Sequence, residues 1–236
     1  MNFIRKNLAN AFTLGNLFSG CIGAVHLFGG DYRTAALCIA ISLILDFFDG
    51  FVARAMKANS ELGVQLDSLA DMVTFGFLPG LTMYKMLEPF GSDFFGMNAG
   101  FEIKYLGFFI TLFSCLRLAI FNLDDEQKFH FKGLNTPSNT LLIFGIYLAN
   151  QESGSFRFLT ENPALLLLLT LLSSWLLVSP VKMLSLKFKS MKIRDNVSKI
   201  VLATGAILLL ALFGITGIPL VIVFYIFTSL LYQNQI

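Results

Sequence analysis

Four aspartates and an arginine stand at fixed helical spacing inside stretches otherwise apolar enough to cross a bilayer. The run is Asp46-Phe-Phe-Asp49-Gly50-Phe-Val-Ala53-Arg54, then eight residues, then Gly63-x-x-x-Asp67-x-x-x-Asp71. A charged side chain at membrane depth costs about 2.5–3.5 kcal/mol on insertion scales, so four carboxylates in neighbouring segments are improbable as filler. Asp46, Asp49, Gly50, Ala53 and Arg54 fall at i, i+3, i+4, i+7 and i+8, on one helical face. Gly63, Asp67 and Asp71 share a face of the next helix. The short link between the helices predicts an antiparallel hairpin in which the four carboxylates converge.

One arginine cannot neutralise four aspartates, and a pair of divalent cations is the simplest counter-charge. Mg²⁺ or Mn²⁺ takes hard oxygen ligands and keeps positions open for phosphate. Two such ions can clamp a phosphoryl centre, stabilising attacking and leaving oxygens together. Gly50 and Ala53 leave room on the same face for a phosphorylated group, and Arg54 offers a fork to its oxygens. Intramembrane carboxylates also mark cation or proton routes. A pore, however, has no reason to specify the glycines and the Ala-Arg pair, so metal-assisted phosphoryl chemistry is the favoured reading over a divalent-cation transporter.

The elements that carry these residues are transmembrane. Of 236 residues 56% are hydrophobic and 14% charged, and mean hydropathy is +0.72, against about 25% charged in soluble domains. The class is an all-α polytopic membrane protein. No polar stretch is long enough for a second domain, so residues 1–236 read as one. A net charge of +2 points to no nucleic-acid partner. Cys21, Cys38 and Cys115 lack metal-ligand spacing and read as small core residues. His26 reads as a packing or lumen-facing residue, remote from His130. Arg5 and Lys6 precede an apolar stretch, but Asn10, Thr13 and Asn16 interrupt it, so a retained first helix is expected rather than a leader.

A membrane helix needs about 20 apolar residues, and eight candidates run near 11–29, 35–56, 63–87, 103–122, 138–151, 163–180, 198–214 and 217–233. Pro137 and Pro163 open the fifth and sixth, and Pro79-Gly80 predicts a kink in the third. With the N-terminus in the cytoplasm, 13 of the 17 Lys and Arg fall on the inner side, among them Arg54, Lys57, Arg117, Lys128, Lys132 and the basic run 182–199. Arg33, Lys85, Lys104 and Arg157 fall outside. This asymmetry orients the chain and sets the aspartates at the cytoplasmic mouth. The run 182–199 either obeys the positive-inside rule alone or also attracts anionic headgroups. Arg117, at the cytoplasmic end of the fourth helix and before Asn122, is a candidate carboxylate partner, the alternative being that it snorkels to headgroups.

The pattern D-x-x-D-G-x-x-A-R, eight residues, G-x-x-x-D-x-x-x-D, resembles the signature of the CDP-alcohol phosphatidyltransferases without a gap. That resemblance implies six core helices around a polar cavity open to the cytoplasm, here with two more, and a homodimer in the inner membrane of a bacterium. It implies that Asp46, Asp49, Asp67 and Asp71 hold the metals, with Asp71 also the general base. Gly50, Arg54 and Ser60, with Asn10 and Thr13 of an opening similar to Pro-Asn-x-x-Thr, would bind CDP-diacylglycerol. Thr13-Leu-Gly-Asn16, Leu116-Arg117-Leu-Ala-Ile120-Phe-Asn122 and Gly133-Leu-Asn135-Thr-Pro137 resemble the bacterial branch that forms phosphatidylserine. This implies L-serine as the acceptor, held by Arg117 and Asn122, with CMP released. Ile120 stands where that branch usually has Arg, and Asn135 where it has Pro. The alternative acceptors are glycerol 3-phosphate, inositol phosphate and choline; the first two, being phosphorylated, would want a further basic residue.

Overall fold

A segment in hydrocarbon has only its own backbone to satisfy its N–H and C=O groups, so apolar stretches become helices. The computed structural model describes residues 2–55, 60–94, 97–98, 100–124, 131–184 and 196–233. Its helices are α1 (Asn2–Phe28), α2 (Tyr32–Ala55), α3 (Glu61–Asp71), α4 (Leu78–Leu87), α5 (Phe109–Leu123), α6 (Thr136–Ser153), α7 (Arg157–Thr160), α8 (Pro163–Val178), α9 (Val197–Phe213) and α10 (Gly217–Leu231). A π-helical segment, Met72–Phe77, joins α3 to α4, and a 3₁₀ stretch, Ile103–Phe108, leads into α5. With the four-residue α7 set aside, the described residues form eight rods, at the places the sequence predicts.

Among the described residues, four stretches are long and apolar enough to cross a membrane: Leu8–Phe28, Tyr32–Ala55, Ile103–Leu123 and Val197–Leu231. The last is broken into two rods by a 3₁₀ turn at Gly214–Thr216, and α8 is a shorter apolar helix. Strands among the described residues are limited to two antiparallel pairs of two residues each, β1 (Asp93–Phe94) with β2 (Met97–Asn98) and β3 (Phe131–Lys132) with β4 (Lys182–Met183). Helix starts follow their caps. Ser60 Oγ accepts from Gly63 N at the head of α3, Asn135 Oδ1 from Ser138 N at α6, and Asn162 Oδ1 from Ala164 N at α8, each satisfying an otherwise orphaned N–H.

The third rod departs from a simple proline kink. Pro79 has no N–H to offer the carbonyl of Phe75 four residues earlier. The backbone widens to π geometry just before the proline, and Leu78 N bonds Val73 O instead. Neighbouring helices meet the carbonyls of this segment: Thr140 Oγ1 donates to Phe75 O and Thr111 Oγ1 to Gly76 O, both at 3.1 Å. The irregular segment directly after Asp71 is thereby tied to α5 and α6.

The expected α2–α3 hairpin does not form. Helix α1 packs along α2 and also against α3, the π segment and α4, while α2 and α3 have no extended contact with one another. The glycines of α1 admit close neighbours, so α1 takes the place beside each of the two rods. A β-carbon on Gly20 would overlap Thr74 Oγ1, and one on Gly23 would stand 3.0 Å from Cys38 Cβ.

The apolar core, including Leu27, Leu78, Met83, Leu87, Ile103, Ile143 and Leu166, lies between α1, α4, α6 and α8. Two further expectations are corrected. Cys21 and Cys115 are exposed on the outside of the bundle, Cys38 alone being buried, because helix faces that meet lipid need no polar side chain. His26 is no packing residue. Its Nδ1 lies 3.0 Å from Asp31 Oδ2 at the α1–α2 turn, where Asp31 Oδ1 also accepts from Thr34 N.

Ion pairs Arg33–Glu152 and Lys85–Glu88, with Lys104–Glu102, gather at one end of the bundle, and Lys132–Asp124 at the other. Lys57, Lys128, His130 and residues 185–195 of the basic run lie outside the described residues. At the Lys132 end the loop into α6 turns through Gly133 at φ 74°. Its N–H donates to Val181 O at 2.8 Å, and an added β-carbon would stand 2.6 Å from Leu177 O. Gly133→Ala is therefore expected to destabilise the fold by about 1–3 kcal/mol through overpacking and left-handed strain, read as a lower Tm of the detergent-solubilised protein.

Candidate active site

Asp46 and Asp49 come from the last turns of α2 and Asp67 from α3, and one carboxylate oxygen from each lies within 4.8 Å of the others. Asp49 is buried and accepts from Thr13 Oγ1 at 2.8 Å. Asp67 Oδ1 is buried with no hydrogen-bond donor among the described residues. Asp71, one turn beyond Asp67, faces Asp46 closely enough for the two carboxyls to interact directly, and its Oδ1 accepts from Asn16 Nδ2 at 3.3 Å. Oxygen-only donors, a buried lone pair without a partner and a shared focus fit hard divalent cations. The reach across the α2–α3 gap, rather than helix-on-helix packing, brings the carboxylates together.

A cleft of about 440 Å³ opens beside them. Asn10 and Thr13 of α1 form one wall, Asp49, Gly50, Ala53 and Arg54 of α2 a second, and Ser60, Gly63 and Asp67 a third, with Phe121 of α5 also lining it. A β-carbon on Gly50 would meet Arg54 Nη1 at 3.1 Å, so the guanidinium lies back over the glycine. One on Gly63 would meet Ser60 Oγ at 3.1 Å and Asn10 Oδ1 at 3.5 Å. A cleft with one acidic wall, one arginine and bare backbone at two glycines suits a diphosphate carried with cations.

Asn10, Thr13, Asp49, Gly50, Arg54, Ser60 and Asp67 thus line one cleft, with Asp46 and Asp71 deeper on the same cluster. The last two candidates sit apart from the cleft. Arg117 is buried, so it does not snorkel. Its Nε donates to Leu134 O at 2.9 Å, and its guanidinium stacks 5.5 Å from the centre of the Phe121 ring. It lines a second cavity of about 200 Å³ together with Ile120, Asp124, Lys132, Leu177 and Ser179. Asn122 does not reach that cavity. Its Nδ2 donates to Ser68 Oγ at 2.9 Å, tying α5 to the helix that carries Asp67 and Asp71.

Sequence reasoning gave no site role to Asn16, Ser68 or Phe121. Asn16 had a signal: it follows Thr13 by three residues, on the same face, in a span where any amide is anomalous. Phe121 had none, being one of 26 phenylalanines.

The CDP-alcohol phosphatidyltransferase family model matches residues 6–178. The chain belongs to that family. The matched CDP-alcohol phosphatidyltransferase region closes at the end of α8, which leaves α9 and α10 as additions to a six-rod core. Among curated relatives, the chain is 32% identical over 170 residues to a protein of Bacillus subtilis named CDP-diacylglycerol–serine O-phosphatidyltransferase, covering 72% of this chain and 85% of the relative. Proteins of the same name from Helicobacter pylori (30% identical; 65% of this chain, 61% of the relative) and Saccharomyces cerevisiae (31%; 59% and 53%) are also similar. The chain spans less than two thirds of the length of these last two. CDP-alcohol phosphatidyltransferases are divalent-metal dependent in general, in keeping with the carboxylate cluster. Saturating Mn²⁺ (100 times its Kd) is expected to stabilise the protein by about 2.7 kcal/mol. Asp49→Asn and Asp67→Asn should each abolish that gain, as read by the metal-dependent rise in Tm.

Proposed function

We propose that this protein transfers the phosphatidyl group of CDP-diacylglycerol to the hydroxyl of L-serine, giving phosphatidylserine and CMP. The observation that carries the proposal is the carboxylate cluster facing a cleft with Gly50, Gly63 and Arg54, in a chain whose curated relatives bear that activity in their names. The nucleotide and diphosphate would occupy the cleft, between Asn10 and Thr13 on one side and Gly50, Arg54, Ser60 and Gly63 on the other. The acyl tails would stay in the bilayer. Two Mg²⁺ or Mn²⁺ ions held by Asp46, Asp49, Asp67 and Asp71 would offset the diphosphate charge and lower the barrier at phosphorus.

Asp71 accepts the proton of the serine hydroxyl. The serine oxygen forms a bond to the phosphorus that bears diacylglycerol, the bond from that phosphorus to the CMP oxygen breaks, and Arg54 meets the charge developing on CMP. Arg117 holds the serine carboxylate. Support for a zwitterionic acceptor is that the Arg117 cavity is lined by groups of both signs, Arg117, Lys132 and Asp124, with apolar Ile120 among them. The reading takes residues 1–236 as one catalytic domain, acting as a homodimer in a bacterial inner membrane with its site toward the cytoplasm. The side on which Arg54, Arg117, Lys132 and Lys182 gather supports that orientation.

General-base help is worth about 10²–10⁴-fold, so Asp71→Asn is expected to lose at least the lower figure in CMP release while still binding CDP. Near-normal turnover in that variant would defeat the base assignment. Arg117→Lys, which keeps the charge but not the fork, should raise the KM for serine about 10-fold, the lower end for a lost hydrogen bond to a charged group. An unchanged KM would remove Arg117 from the acceptor site.

A further inference from the structure

A wholly buried amide in a bilayer-spanning helix is costly unless its polar atoms are bonded. Asn16 is fully buried in α1. Its Oδ1 has no partner among the described residues, and its Nδ2 donates to Asp71 Oδ1. The side chain therefore makes one hydrogen bond, and that bond goes to the carboxylate read above as the base.

The backbone at Asn16 is fixed independently of the side chain. Its carbonyl accepts from Ser42 Oγ of α2 at 3.2 Å and from Thr74 Oγ1 of the π segment at 3.3 Å. Those bonds join the rod bearing Asp46 and Asp49 to the rod bearing Asp71 at the same residue of α1. One turn on, the bare backbone of Gly20 lies against Thr74. Asn16 thus presents its amide from a junction that holds with or without the side chain.

We infer that Asn16 is a positioning residue. It donates to one oxygen of Asp71 and so fixes the rotation of that carboxylate, aiming the other oxygen at the acceptor hydroxyl. The inference rests on the reading of Asp71 as general base. An amide suits the role because it is a neutral donor. An acid at the same place would repel Asp71, and an apolar side chain would let the carboxylate turn.

The test is steady-state CMP release by the full-length protein in detergent micelles, with CDP-diacylglycerol, serine and saturating Mn²⁺, beside separate titrations of CDP. For Asn16→Ala, kcat is expected to fall about 10- to 100-fold, the usual cost of removing a group that orients a metal-site ligand. Both KM values and CDP affinity should stay at wild-type level, the signature of an interaction used only in the transition state. Asn16→Asp keeps the volume and replaces the donor by a like charge. It should lose more than the alanine variant, and it serves as the measurement if the alanine variant does not fold. Wild-type kcat in either variant, or a loss of CDP affinity in step with kcat, would overturn the inference. Asp71→Asn, run alongside, separates the two levels. If it still turns over, the base reading fails. If it is inactive while Asn16→Ala runs at full kcat, the positioning role alone fails.

Discussion

Mutual repulsion among four carboxylates within the bilayer is the constraint around which this molecule is arranged. In a medium of low polarity such charges neither hydrate nor tolerate one another, and among the described residues the cations acting on them, Arg54 and Arg117, are too few to offset them. The chain answers with a third helix. Helix α1 lies against both acidic rods and supplies hydrogen-bond donors, Thr13 to Asp49 and Asn16 to Asp71. It also holds the rods at a separation that leaves a space with oxygen ligands around it. That space, which a hairpin of α2 on α3 would have closed, is what cations and a diphosphate would need on the proposed reading.

The π-helical segment makes the same point from the other side. A proline just after the acidic stretch removes one backbone bond, and the freed geometry is stabilised by threonines from α5 and α6. Residues that never touch the cleft therefore help to determine where Asp71 stands. Irregular backbone at this depth is tolerated where it is buried in protein, as it is here.

Much of this was legible in the sequence. Apolar length and punctuation located the eight rods found among the described residues. The spacing of Asp46, Asp49, Asp67 and Asp71 put the four on facing stretches, and oxygens of the first three do gather within 4.8 Å of one another. What could not be read is how helices distant in sequence lie in space. Helical periodicity says which residues share a face but not which neighbour that face meets. The α2–α3 contact was inferred from a short link, yet the partner of both is α1. Asn122 and Arg117 lie five residues apart on α5, and nothing local could tell that one bonds Ser68 while the other turns to Leu134. Asn16 stands in the sequence as an interruption of an apolar stretch and as the end of the Thr13-Leu-Gly-Asn16 motif, but neither gives it a role, because its significance depends on a residue 55 positions away.

The close seating of α1 through Gly20 and Gly23 has a consequence for how damage at those positions would look. A larger residue there removes no ligand and breaks no bond to the substrate; it pushes the acidic rods further apart. On the proposed reading of the carboxylates as metal ligands, the defect is one of spacing, so it would weaken the grip on cations rather than delete it. Mass action can offset a weakened grip, so such a protein would regain function as divalent salt is added to the medium. A chain that has lost one of its carboxylates would not.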